Sequence, residues 1–595
     1  MLVREKRSQH PLIKYVLVPC MLLLLLSACG GGNTTAQSTP TASSDASKLV
    51  NFDLGIPQKA LQSPTTGNVP GDTKFHVLVT FKPNDPLLNS LGTQTTSSTN
   101  TTDGASLANQ LGITDQQYQQ IKQYFGVDGI SLQLSKLHTT LALDAPASSF
   151  AKLLQTTFVY HKYEGRTFYA PATPIMLPQV VAERILSITG LDTYSKPPLK
   201  KSVKASSTQL QPLATDANDC ATDPRTANAA QVRNIYGLNP LYAQGWQGQG
   251  TTIILPEFET FSEPDLQHYM SCVQFHGKVS VVTVNDNPPV GTPAGEALLD
   301  LEMVTGLLPA ANIVVYQEDP ASDYSRFWVA MDDVLAQIAS DYSKITGPTQ
   351  VSISWGGSED FLSVGLVNAI DTQLRILQQV DHINVFVASG DCGAYDSVNY
   401  PDLLDVDFPS SDRSVVAVGG TNLQVSRQNT RASETVWSGD PKKPADCQNS
   451  WGSGGGLSQA FDQPTWQTGP GVQNKYSNGK RQVPDVSAVA WLVALYADGQ
   501  WTGSGGTSAA TPIWASVYDL VNQGLATKTQ QFVVGGAGIF YWLAQKQAAQ
   551  HPFFDVVQGN NLYYPATSGW DYATGFGAPY AVGLYNGMLE FIKSA

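Results

Sequence analysis

The amino-acid sequence predicts an α/β protein: a mostly parallel sheet flanked by helices, preceded by a smaller α+β module. Three observations carry that prediction. Over residues 221–595, continuous apolar runs alternate with helical patterns, as strands covered on both faces by helices would. Residues 72–195 instead mix short alternating runs with short helical stretches. Two polar, aperiodic stretches, 29–71 and 196–220, set these units apart. At 595 residues the chain exceeds one ordinary domain.

Residues 1–28 read as a signal peptide, with a basic start (Arg4 to Lys14) and an apolar run from Tyr15 to Leu26 that is short for a membrane span. The run ends Leu26-Ser27-Ala28-Cys29-Gly30, which resembles a bacterial lipobox and implies cleavage before Cys29 and lipidation of its thiol. Residues 29–71, rich in Gly, Ser, Thr, Ala and Pro, read as a flexible tether. In the module that follows, Lys74–Lys82 alternates like a strand and Asn84–Ala105 reads as a polar loop. Thr114–Phe125 and Ser148–Thr157 have helical character, while Ile130–Leu143, Phe158–Tyr160 and Thr167–Ala170 read as strands. Residues 196–220 carry Lys196, Lys200, Lys201 and Lys204 among Pro, Ser, Thr and Gln, an exposed basic linker open to proteolysis.

In residues 221–595 the candidate core strands are Thr251–Leu255, Val279–Val284, Asn312–Tyr316, Val351–Ser354, Asn384–Ala388 and Ser414–Val418. Helices are expected at Glu296–Leu308, Ser325–Ile345, Gly365–Val380 and Ser508–Ala526. Lys plus Arg number 35 against 49 Asp plus Glu, a net charge of −14, which argues against nucleic acid as a partner. Charged residues are only 14% of the chain, so acidification changes its charge little, a hint of acid tolerance. Outside the N-terminal segment lie Cys220, Cys272, Cys392 and Cys447. In an exported chain they suggest two disulfides, and proximity favours Cys220–Cys272 and Cys392–Cys447.

The chemistry centres on Gly505-Gly506-Thr507-Ser508-Ala509-Ala510-Thr511-Pro512. The glycines allow a sharp turn, and Ser508 opens a helix whose free amides favour a developing negative charge. Pro512 is expected in the first turn, where its missing N–H costs little. None of the eight histidines has the His-Gly-Thr-His context of a subtilisin base, so carboxylates must serve. Glu296 and Asp300, four residues apart, share one face of an apolar helix and repel when both are ionised, which pushes their titrations apart. Asp391, in Ser389-Gly390-Asp391, follows the run Val385–Ala388, placing an acid at a strand tip where α/β folds build their sites.

Together these motifs resemble the sedolisins, the serine-carboxyl peptidases. Gly-Thr-Ser508-x-x-x-Pro matches the nucleophile box, Glu296-x-x-x-Asp300 the acid pair and Ser-Gly-Asp391 the oxyanion acid. Val351-Ser-Ile-Ser-Trp355-Gly-Gly, Phe408-Pro-Ser-Ser, Ala417-Val-Gly-Gly-Thr421, Ser453-Gly-Gly-Gly456 and Val483-Pro-Asp485-Val match family segments between them. Residues 72–195, ending Ile188-Thr-Gly-Leu-Asp192, look like the family's propeptide. The resemblance implies a subtilisin-like fold and a self-processing endopeptidase acting on proteins or peptides at acid pH.

It further implies that Ser508 attacks the scissile carbonyl, Glu296 takes its proton, Asp300 orients Glu296, and a protonated Asp391 donates to the oxyanion. Glu257 and Trp355 sit where the family extends this acid network, although Pro256 departs from its pattern. Asp485 and Glu302 read as structural. Asp555, Val556, Thr567, Gly569 and Asp571 resemble the family's calcium loop, with Thr567 in place of a glycine, and imply one Ca²⁺ held by carboxylates and carbonyls. The expected protein is an extracellular monomer inhibited by its own propeptide, lipid-anchored through Cys29 to the bacterial surface until processing. Two other readings stand beside it: a catalytically silent lipoprotein binding peptide or polysaccharide, and a subtilisin-type neutral protease.

Overall fold

The computed structural model describes residues 48–92, 96–98, 104–127, 129–197, 215–216, 220–221, 226–342, 347–397, 400, 402–439 and 451–594. The signal segment, Cys29, most of the basic linker and Cys447 lie outside the described residues. No helix among the described residues is long and apolar enough to cross a membrane.

The first module begins earlier than its composition indicates. Within the stretch read as a tether, β1 (Leu49–Phe52) and β2 (Thr65–Asn68) add strands to it. Then come β3 (Lys74–Phe81), α1 (Asp85–Leu91), β4 (Thr96–Ser98), α2 (Asp115–Phe125), β5 (Ser131–Leu134), β6 (Thr140–Pro146), α3 (Ala147–Leu153), β7 (Phe158–Tyr163), β8 (Arg166–Pro171), β9 (Ile175–Pro178) and β10 (Ile185–Thr189). The sheet β10-β3-β6-β5 is antiparallel, β1 pairs with β9, and β2 pairs with β7. The polar stretch read as a loop thus contains α1 and β4. Asn84 caps α1 by accepting from Leu87 N–H at 3.3 Å, Pro86 sits in its first turn, and Leu88 is buried. A capping box of Thr114 and Gln117 starts α2.

The larger unit is built on β11 (Thr252–Glu257), β12 (Lys278–Thr283), α4 (Glu296–Leu307), β13 (Asn312–Gln317), α5 (Phe327–Asp341), β14 (Thr349–Ile353), α6 (Val364–Gln379) and β15 (Asn384–Ala388). It continues through β16 (Val415–Val425), β17 (Arg431–Val436), β18 (Val486–Val489), α7 (Thr507–Thr529), β19 (Gln531–Val533) and α8 (Ala581–Ser594). The strands run β12-β13-β11-β14-β15-β16-β17, with β18 also on β16; every pair is parallel except β16–β17. All six expected core strands lie in this sheet, within a residue or two of their predicted ends except for the longer β16.

Alternation along the strands divides the core between two faces. Ile253, Leu255, Phe386, Val416 and Val418 pack with α4 and α7 on one side. Ile254, Val351, Ile353, Val385 and Val387 pack with α5 and α6 on the other. Cys220 and Cys272 form the expected disulfide, with Cα atoms 5.6 Å apart, and Cys392 is also disulfide-bonded.

The first module docks on α5 and α6. Leu88, Leu111 and Leu137 join the core on that side, and β4 pairs antiparallel with β19. His76 reaches both Asp144 in its own module, at 2.6 Å, and Asp333 on α5, at 3.0 Å. Thr189 donates to buried Asp332 at 3.0 Å, and Trp328 Nε1 donates to the Lys196 carbonyl at 2.6 Å.

Candidate active site

Three neighbouring strands, β11, β14 and β15, deliver the expected residues at their C-terminal ends, where parallel sheets leave a crevice. Glu257 ends β11, Ser354 and Trp355 follow β14, and Asp391 lies three residues beyond β15. Across from them α7 begins at Thr507, after Gly506 at φ 122°, a conformation that glycine tolerates. Ser508 is buried in that first turn.

Pro512 falls one turn further in than expected, inside α7 rather than in its first turn. Its missing N–H would have bonded the carbonyl of Ser508, four residues back. Ser354 fills that gap: its Oγ lies 3.3 Å from the Ser508 carbonyl and 2.9 Å from Asp300 Oδ1. One hydroxyl therefore ties the serine turn to the acid helix. Thr507 ties the same turn to Asp391, donating to Oδ1 from both N–H and Oγ1 at 2.8 Å. Oδ2 is the Asp391 oxygen that Thr507 leaves unheld. Ser354 and Thr507 lie inside motifs read from the sequence, but their bridging roles needed the fold.

The helix α4 is buried along its whole length, and it packs against α7 and β11. Glu257 and Asp300 are both fully buried, and their carboxyls hydrogen-bond each other. One of the two must hold a proton. Burial pushes Glu257 well above the usual carboxylate range, and the charges of Glu296 and Glu259 add to this, against a hydrogen bond from Trp355. That bond, Trp355 Nε1 to Glu257 Oε2, is 2.9 Å long. Burial and the charges of Glu257 and Glu296 likewise push Asp300 well up, against the bond from Ser354. Glu257 is thus gathered with Asp300 and Trp355 despite Pro256.

Sequence reasoning passed over Glu259. Residues 253, 255, 257 and 259 alternate toward the α4 side, while Phe258 packs on the opposite face. The alternation was the available signal. Asp485 and Glu302 are structural in their contacts. Asp485 takes both Arg481 nitrogens, at 2.8 and 2.6 Å, and Glu302 accepts from Tyr496 N–H at 2.9 Å.

At the far end of the chain one loop gathers both expected metal acids. Asp555 Oδ2 accepts from Gly569 N–H at 2.9 Å, and Asp571 Oδ2 accepts from Thr567 N–H at 2.8 Å. Burial pushes Asp571 up to about 7 and raises Asp555. Gly569 has φ 79°, whereas Thr567 stays out of the left-handed region, so its side chain is tolerated. No group of three or more His, Cys, Asp or Glu side chains able to hold a metal occurs among the described residues. Asp571 is buried and Asp555 exposed; carboxylate and backbone carbonyl oxygens are the donor types that calcium takes.

The family model for the pro-kumamolisin activation domain matches residues 67–194. Kumamolisin of Bacillus sp. (strain MN-32) is 26% identical over 502 residues, covering 80% of this chain and 84% of its own. Sedolisin of Pseudomonas sp. (strain 101) is 25% identical over 492 residues, covering 79% and 78%. The structure of Pseudomonas sedolisin, a serine-carboxyl proteinase complexed with two molecules of pseudo-iodotyrostatin, superposes with a TM-score of 0.52 at 26% identity, over 62% of this chain and 98% of that one. With these relatives, the fold makes the chain a serine-type peptidase carrying its own activation domain. Its similarity is to the sedolisins, the serine-carboxyl peptidases.

Proposed function

We propose that this chain is an exported, self-processing endopeptidase that cuts peptide bonds at acid pH, with Ser508 as its nucleophile. The observation that carries the reading is the double tie of the Ser508 turn: to Asp300 through Ser354, and to Asp391 through Thr507. Glu296, at the first position of α4, takes the Ser508 proton. Asp300 orients Glu296, and the proton it shares with Glu257 keeps the buried cluster from carrying its full charge. Asp391 Oδ2, protonated, donates to the oxyanion as the carbonyl becomes tetrahedral. Acid pH suits this set, because a carboxylate can still act as base where an imidazole would be charged.

Asp555 and Asp571, with the carbonyls of Val556, Thr567 and Gly569, would hold one Ca²⁺. Bound there, the ion would cross-link the loop at 567–571 to the strand end at Asp555 and take no part in the chemistry. The docked module at 67–194 acts as inhibitor until the basic linker is cut. With a lipid on Cys29, that cut leaves the module on the membrane and frees the enzyme. Fractionated cells with the catalytic part still membrane-bound after processing would refute the release.

The test is self-processing of residues 30–595, wild type against Ser508→Ala, across acid and neutral pH with calcium present. Shortening of the wild type in acid only, with Ser508→Ala left at full length, is the expected result. If neither shortens nor cleaves a denatured protein at any pH, the silent binding lipoprotein is the better reading. A neutral optimum would point to the subtilisin-type alternative.

A further inference from the structure

We infer that Glu259 is a positioning residue for the proposed base: its carboxylate holds the first turn of α4, and so the backbone of Glu296. The inference rests on the reading of Glu296 as base.

The geometry is specific. Glu259 Oε1 accepts from three successive N–H groups, those of Gly295 at 2.9 Å, Glu296 at 2.6 Å and Ala297 at 3.1 Å. A helix start leaves such donors without intrahelical partners, and here the N-cap residue, Gly295 at φ 109°, has no side chain to offer them. The cap arrives from a loop 36 to 38 residues earlier in the chain. Glu259 is buried, with 7% of its surface exposed. A buried carboxylate on three N–H groups at a helix start is held both by hydrogen bonds and by the positive end of the dipole.

Two consequences reach the chemistry. Glu296 is the first residue of α4, so the N–H bond that fixes Glu259 also fixes the Glu296 main chain. Glu259 also fills the positive helix end that would otherwise favour ionised Glu296. The titratable groups around it are Glu257 from β11, Glu296 from α4, with Asp300 a turn further on, and Tyr324 from the segment before α5. Its charge raises both Glu257 and Tyr324. Among the described residues no basic side chain is paired with Glu259 or figures in its titration, which burial raises and the backbone hydrogen bonds lower. Removing its charge therefore makes Glu257, and the coupled pair it forms with Asp300, easier to ionise.

All three bonds converge on one oxygen, which allows charge and position to be separated. In Glu259→Gln the amide oxygen can accept the same N–H groups without the charge, whereas Glu259→Ala removes both. The full chain is allowed to self-process, and the mature enzyme is assayed on a peptide substrate for kcat and KM across pH, with Glu296→Gln as control. Glu259→Gln is expected to move the pH–rate profile to lower pH by about one unit, most clearly on the alkaline limb where Glu259 is ionised. Glu259→Ala is expected to lose about tenfold or more in kcat with KM steady. If Glu259→Ala does not fold or process, the profile of Glu259→Gln decides alone. A Glu259→Gln profile that superposes on the wild type overturns the inference, even if the variant is less stable. If Glu296→Gln itself remains active, the base assignment fails and takes the inference with it. If Glu296→Gln is dead while Glu259→Gln keeps the wild-type profile, only the positioning role is lost.

Discussion

Replacing Ser354 by alanine isolates the hydroxyl that joins the serine turn to the acid helix. The hydroxyl carries one proton, so the change removes one donor that two acceptors share. Asp300 Oδ1 loses its 2.9 Å contact, and the Ser508 carbonyl loses its 3.3 Å contact at the place where Pro512 has already removed the helical N–H. A buried acceptor left without a donor costs about 1–3 kcal/mol, and the one shared donor is worth about that before relaxation. Part of this appears as stability, a fall of several degrees in the unfolding midpoint. The rest falls on the site, where a loss of about 1.4 kcal/mol in transition-state stabilisation lowers kcat tenfold. The sign of the pH effect follows from Asp300. The Ser354 hydrogen bond favours its ionised form. Deleting the bond raises the already elevated titration of the coupled acids, and the acid limb of the pH–rate profile moves toward neutral pH. The assay is kcat and KM on a peptide substrate across pH, alongside a thermal melt. A Ser354→Ala enzyme with full kcat and an unmoved acid limb would refute the claim that this hydroxyl couples the two elements.

Because Glu259→Gln and Ser354→Ala push the same acids in opposite directions, the double variant is expected to bring the pH profile back toward the wild type; two shifts of the same sign would mean that the acids do not titrate as one set. His76→Gln is expected to speed self-processing several-fold without changing the pH at which it starts. Burial opposes charge on the His76 ring, but Asp333 and the bonds to Asp144 and Asp333 lift it to about 10. The ring's own contribution to docking is complete below about pH 6.5 and fades only as pH rises through about 10, so titration of His76 itself does not release this contact in acid. A time course of processing at several pH values checks this, and a variant that processes equally at neutral and acid pH would show the contact to be the gate. Calcium at a hundredfold excess over its Kd is expected to stabilise the mature enzyme by about 2.7 kcal/mol, read as a rise of several degrees in the unfolding midpoint. Asp571→Asn should abolish that rise; a chelator without effect on the wild type would remove calcium from the account.

The sheet was legible because its inner strands are buried on both faces and so are rich in Val, Ile and Phe, whereas the edge strand β12 is only exposed or half-buried. The acid helix was legible for the opposite reason: carboxylates at Glu296 and Asp300 stand out where every neighbour is apolar. Elements held by distant partners were not. The strand β1 alternates exposed and half-buried residues, and exists because Leu49–Phe52 pairs with Ile175–Pro178 more than 120 residues on. In α1 only Leu88 is buried, so composition reads it as loop. At the site, residue types announced the nucleophile and acids, while the ties between them stayed hidden. The role of Ser354 depends on a carbonyl that Pro512 frees in another element. That of Glu259 depends on a helix start that begins beyond a long loop.

The interface and the site respond to acid in opposite ways, and that difference bears on how activation works. At the interface, His76 is charged throughout the acid range. Asp332 is pushed up to about 7 by burial and then by Asp333, and it becomes easier to keep buried as pH falls. The titration of these two groups themselves does not loosen the activation domain between neutral and mildly acid pH. At the site, the proton shared by Glu257 and Asp300 is retained more readily as pH falls. On this reading acid acts first by making the chemistry competent under a domain that is still docked. The cut in the linker precedes release, and release follows from loss of the covalent tether that kept the domain at high effective concentration.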